Sequence, residues 1–94
     1  MKKEKFSRLD PAEFLETEEE MRLYLQITLE ENGIKSFQRA LGTVARARGM
    51  NELAEKTGLG RQNLYKALTE EANPKIETIS KVVEALGMKL TVSA

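Results

Sequence analysis

Five side chains able to recognise a nucleic acid stand within a short run of the chain, RQNLYK: Arg61, Gln62, Asn63, Tyr65 and Lys66. Their chemistry is recognition, not bond breaking. Arginine can bond bidentately to the edge of guanine, and glutamine to the edge of adenine. Tyr65 and Lys66 lie one helical turn beyond Arg61 and Gln62, within reach of a base or a phosphate. Asn63 has two readings, a phosphate contact or a local cap. A catalytic set is harder to find. The chain has no histidine and no cysteine, which removes the usual general acid–base group, the thiolate nucleophile and any thiolate metal site. No glycine loop of the phosphate-binding kind occurs. The carboxylates fall on highly charged stretches that read as exposed helix faces. The expectation is a binding module, not an enzyme, without metal or cofactor.

These residues need a frame that presents one face of a short helix. A helix-turn-helix holds two short helices at a steep angle across a tight turn. The segment MNELAEKTGLGRQNLYKAL, from Met50 to Leu68, meets its separate demands. Ala54 supplies the small residue where the helices cross. Gly58 supplies a residue tolerant of the left-handed conformation. Leu59 plugs the angle behind it, and Leu64 with Ala67 or Leu68 matches Leu53. With Leu59, Leu64 and Leu68 turned inward, Arg61, Gln62, Tyr65 and Lys66 face outward. In this motif the first residues of the second helix enter the major groove. Gly60 stands at the helix start without a capping side chain, leaving its amides able to meet a phosphate oxygen.

The flanks supply the rest of the scaffold. Asp10-Pro11 opens a short helix through Leu15. Thr17 and Glu20 form a capping box for a helix running to about Asn32, with Met21, Leu25 and Leu29 as its buried positions and Gly33 as its stop. A third helix spans roughly Ser36 to Arg48, with Phe37, Leu41, Val44 and Ala45 inward. Gly42 costs that helix ~1 kcal/mol relative to alanine, and close approach of another backbone would account for it. Short helices over about 51–57 and 61–69 follow, then Asn73-Pro74 breaks the chain. A last helix near 75–86 sets Ile76, Ile79, Val83 and Leu86 on one side, and Gly87 stops it. Met88, Leu90 and Val92 then alternate with Lys89 and Thr91, the period of a strand. A lone strand needs a partner, and the same strand of a second subunit would supply one. The last helix, through Lys81 and Glu84, is a second candidate for dimerisation. The expected architecture is one all-α domain over residues 1–94: an acidic extension (1–33), a helix-turn-helix core (34–87) and a short C-terminal β-strand (88–94).

Charge is balanced, at 15 basic against 15 acidic residues, but it is not evenly spread. Asp10 to Glu31 is acidic apart from Arg22, whereas Arg39, Arg46, Arg48, Lys56, Arg61 and Lys66 dominate the middle. Such asymmetry points to two surfaces for two partners. Nothing at the N-terminus reads as a signal peptide, and no apolar run is long enough to span a bilayer. The expectation is a cytoplasmic protein with no membrane partner.

Residues 9–92, and above all ALGTVARARGM followed by LAEKTGL, resemble the addiction module antidote family. These are HigA-like antitoxins with a lambda-repressor-like DNA-binding domain. The resemblance implies a lambda-repressor-like bundle of about five to six helices. It also implies a homodimer on operator DNA that represses its own operon, and direct neutralisation of a RelE/ParE-superfamily, HigB-like toxin encoded beside it. By position, the recognition residues would be Arg61, Gln62, Tyr65 and Lys66. The ARARG run contributes Arg46 and Arg48, as phosphate contacts or as a solvated basic face. Two positions depart from the family: Gly60 replaces a frequent small hydroxyl residue, and Ile76 stands where an aromatic is common. The acidic segment, with Phe6, Leu9, Phe14 and Leu15 as apolar anchors, would cover a basic toxin. Phe14 and Leu15 have the alternative of packing on the domain's own core. A stand-alone phage-type repressor without a toxin is the other function compatible with these residues.

Overall fold

The computed structural model describes residues 15–69 and 71–92. Among these, five helices follow one another: α1 (Glu18–Asn32), α2 (Ile34–Arg48), α3 (Met50–Thr57), α4 (Arg61–Ala67) and α5 (Ile76–Ala85). Each boundary has a local cause. Thr17 accepts from the Glu20 amide at 3.1 Å, and the Glu20 carboxylate accepts from the Glu16 and Thr17 amides at 2.9 and 3.1 Å. That is the capping box expected from the sequence. These amide donors hold the Glu20 carboxyl below the usual range. Gly33 and Gly49 then turn the chain between helices at positive φ, 91° and 117°. α2 begins at Ile34, two residues ahead of the sequence reading, because the Gly33 carbonyl already accepts the Phe37 amide at 3.0 Å.

α2 is the central element. It packs against α1 on one side and against α3 and α5 on others, and α3 also touches α4 and α5. Phe37, Leu41, Val44 and Ala45 are buried as expected, together with Ala40. Leu41, Val44, Leu53, Leu64, Val82 and Leu86 form the fully enclosed centre. Full burial of each such side chain is worth about 1.5–3 kcal/mol.

Two expected inner faces hold except at one end position each. On α1, Met21 and Leu25 are buried, but Leu29 stays 40 % exposed. Leu29 borders an open groove that Phe37 and Val83 also line. On α5, Ile79, Val83 and Leu86 are buried, whereas Ile76 is 69 % exposed and Val82 takes an enclosed place. Residues 82, 83 and 86 share one face with 79, and Ile76 lies at the helix's open first turn.

The C-terminal segment departs from the strand expectation. Residues 88–92 carry no strand, and no strand occurs among the described residues. Gly87, at φ 84°, donates to the Glu84 carbonyl at 2.9 Å, and Met88 donates to the Val83 carbonyl at 3.1 Å. This is a Schellman cap, with Met88 packed onto the core. The cap takes Met88's amide for α5, and Leu90 and Val92 are left exposed, with no strand edge among the described residues to pair with.

Candidate nucleic-acid interface

The three residues Gly58, Leu59 and Gly60 join α3 to α4. Gly58 adopts the left-handed conformation, φ 76° and ψ 7°, and its amide caps α3 on the Ala54 carbonyl at 3.1 Å. A side chain there would be strained, so the sequence requires glycine. The residue before it was missed by sequence reasoning. Thr57 is buried, donates its hydroxyl to the Leu53 carbonyl at 2.8 Å and accepts the Leu59 amide at 3.2 Å. It thereby satisfies a turn amide that has no helical partner. A threonine preceding the turn glycine was the available signal.

Gly60 differs in kind. Its φ of −69° and ψ of 153° suit any residue, and a Cβ there would meet only the Asn63 side-chain nitrogen, at 3.8 Å. No side chain caps α4, so its first-turn amides are open.

α4 is held by Leu64 and Leu68, both buried, and by Leu59, which packs half-buried behind the turn. Gly42 of α2 sets the distance. A Cβ on Gly42 would stand 2.9 Å from the Leu68 carbonyl oxygen. The expected close backbone approach is therefore present, and its partner is the end of α4. The loop after α4 is tied to the same helix. Gln38, buried on α2, donates its amide nitrogen to the Thr69 and Ala72 carbonyls at 2.9 and 3.1 Å. The Lys35 ammonium donates to the Ala72 carbonyl and to Asn73 Oδ1, each at 2.6 Å. Neither residue was singled out from the sequence, because both serve partners more than thirty positions away.

With α4 fixed in this way, Arg61, Gln62, Asn63, Tyr65 and Lys66 are all exposed on its outer side. Arg61 lies over the Tyr65 ring at 5.7 Å from its centroid and donates to Asn51 Oδ1 at 3.3 Å. The cation–π contact and the amide oxygen keep the guanidinium near the helix face at little cost, since both sites are open to water. Asn51, in the first turn of α3, thus joins the constellation, which sequence reasoning overlooked. Lys56 of α3 pairs instead with Glu52 at 3.2 Å.

The two arginines of α2 separate. Arg46 is exposed on the last turn. Arg48 is half-buried and donates to Glu18 Oε2 and to the Leu86 carbonyl, both at 3.4 Å. It ties the start of α1 to the end of α5, a role inside the fold that the sequence reading did not weigh. Of the apolar anchors proposed ahead of α1, Phe6, Leu9 and Phe14 lie outside the described residues. Leu15 is half-buried and packs on the domain's own core. Met88 does the same, while Leu90 and Val92 are exposed. Among the described residues there is no group of three or more acidic residues placed to bind a metal ion and no helix long and apolar enough to cross a membrane.

Comparison with known proteins agrees with the resemblance at the level of the family. Residues 5–94 match the model of a family described as "probable addiction module antidote protein". The chain is 43 % identical over 89 residues to an uncharacterized protein of Haemophilus influenzae (strain ATCC 51907 / DSM 11121 / KW20 / Rd), covering 95 % of this chain and 92 % of that one. No solved structure matches the chain. A match across almost the whole length places the chain in the addiction module antidote protein family.

Proposed function

We propose that this protein is the antitoxin of a type II toxin–antitoxin module, acting in the cytoplasm and without enzymatic activity. In this reading α3 and α4 are a lambda-repressor-like helix-turn-helix that binds the operator of the protein's own operon. The single observation that carries the DNA-binding part is the outer face of α4. It gathers Arg61, Gln62, Asn63, Tyr65 and Lys66, while Leu64, Leu68 and the Gly42 approach hold the helix from behind. Open first-turn amides beside Arg61 and Gln62 add donors for a phosphate.

The balanced net charge limits what one copy can do. Affinity for DNA grows with the phosphates neutralised, and one α4 presents only Arg61 and Lys66. Two copies on a two-fold operator double that set. The exposed Leu90 and Val92, which have no strand neighbour among the described residues, would pair with the same segment of the second copy. The toxin in this reading is a RelE/ParE-superfamily, HigB-like protein bound directly by the antidote; family membership supports a toxin partner in general terms.

The test is binding to the DNA upstream of the protein's own gene, followed by fluorescence anisotropy at several salt concentrations. Arg61→Ala is expected to weaken specific binding by about 1–3 kcal/mol and to relax the base preference at one position. Arg46→Ala is expected to weaken all sequences alike and flatten the salt dependence. Unchanged operator binding by Arg61→Ala would show that the recognition face lies elsewhere.

A further inference from the structure

The geometry points to the outward face of α1, centred on Leu23 and Ile27, as the surface on which this antidote receives a cationic protein. The inference rests on the antitoxin reading and names the surface that reading requires. On a helix of 3.6 residues per turn, Leu23 and Ile27 are neighbours one turn apart. They lie on the side away from Met21 and Leu25, the residues that bury α1 in the core. Their exposures, 42 % and 50 %, are large for aliphatic side chains on a helix whose opposite face is buried. The same helical projection sets Glu19 and Glu30 along one flank of the pair and Glu20 and Glu31 along the other, all exposed. α1 thus presents a small apolar centre inside an acidic border. Protein interfaces are built that way: a desolvated apolar anchor with a charged rim that steers the approach.

The charge decides the occupant. α1 carries five glutamates against Arg22, and Arg22 is itself engaged by Glu19 at 2.6 Å and by Gln26 at 3.0 Å. Nucleic acid and an anionic membrane are repelled by such a face. A second copy is disfavoured as well. Two-fold pairing through Leu23 and Ile27 would set each border of glutamates against its own image. A protein surface rich in lysine and arginine is the complement that remains. The surface lies on a different element from the recognition face: α1 packs on α2, and α4 on α3.

The experiment uses the full chain and the toxin encoded beside its gene, purified separately and titrated calorimetrically, with sedimentation of each variant alone. Leu23→Ser with Ile27→Ser is the perturbation, and Ile76→Ser, an aliphatic side chain still more exposed on α5, is the control. The double variant is expected to bind the toxin about 10- to 100-fold more weakly. Its thermal midpoint, its sedimentation and its operator binding should stay as in the wild type, and the control should bind normally. Raising salt should slow association of the wild type. Toxin affinity within about threefold of wild type overturns the inference while leaving the antitoxin reading intact. A double variant that turns a dimer into a monomer makes the face a self-association surface and overturns it too. If the wild-type chain does not bind the toxin, the antitoxin reading itself falls.

Discussion

Replacing Gly42 by alanine sets two effects of opposite sign against each other. Gly42 lies within α2, where alanine is worth ~1 kcal/mol more than glycine by helix propensity. A methyl group there would stand 2.9 Å from the Leu68 carbonyl oxygen and 3.5 Å from the Leu68 Cβ. The first contact is shorter than side-chain carbons tolerate. The obstacle is a main-chain atom at the end of α4, so no rotamer change relieves it. Either α4 or α2 must move. Overpacking of this kind costs about 1–3 kcal/mol, and a rigid backbone neighbour puts it in the upper part of that range. The difference is a net loss of about 1–2 kcal/mol. For a domain of this size each kcal/mol moves the thermal midpoint by about 4–8 °C, so a fall of about 4–16 °C is expected. Helical circular dichroism during heating and urea titration measure it. A rise in the midpoint would refute the reasoning, because it would mean that propensity acts unopposed and α2 and α4 are not in contact at this point. The same displacement acts on function. If α4 shifts to admit the methyl group, its outer face shifts with it, and operator affinity should fall by more than the lost stability explains.

Other perturbations test separate parts of the frame. Gln38→Leu removes the donor to the Thr69 and Ala72 carbonyls and should cost about 1–3 kcal/mol by urea unfolding, with faster amide hydrogen exchange at Thr69 and Ala72. Thr57→Val keeps the shape but leaves the Leu59 amide without its acceptor, a loss of about 1–3 kcal/mol; a neutral result would show that water serves this amide as well. Glu20 gives α1 a pH dependence. Its folded pKa lies below the ordinary carboxylate value because the Glu16 and Thr17 amides donate to it. Its contribution is therefore complete above that ordinary value and fades as pH falls through the lowered one. Helicity measured from neutral pH into acid should drop in that window, and Glu20→Gln should flatten this part of the curve.

Much of the scaffold was legible because its signals are local. The capping box at Thr17 and Glu20, the stops at Gly33 and Gly87, and the turn at Gly58 each act within a few residues, so their identities carry the conformation. The periodicity of Phe37, Leu41 and Val44 and the pairing of Leu53 with Leu64 likewise read directly as buried faces. Once Leu64 and Leu68 are inward, the outward set on α4 follows from helical spacing alone. The errors concern contacts between elements. Leu29 and Ile76 have the right period, yet they stay 40 % and 69 % exposed, and on α5 Val82 is enclosed instead of Ile76. The alternation at Met88, Leu90 and Val92 is a different case: no strand forms there within one chain, where the Val83 carbonyl takes the Met88 amide, and the second edge that a ladder needs would have to come from another copy.

Tertiary structure alone assigned the long-range polar partners. Arg48 read from sequence as part of a basic run, and folding turns it onto Glu18 and the Leu86 carbonyl. Gln38 and Lys35 read as ordinary helix residues, and folding makes them the anchors of the loop behind α4. Asn51 gained its place beside Arg61 only because the turn brings the starts of α3 and α4 together. The physical division is one of range. Backbone dihedrals, caps and amphipathic period are set by neighbours in the chain, so residue types determine them. Which charged or amide group meets which carbonyl depends on how whole helices cross, and that was decided by the packing of the core.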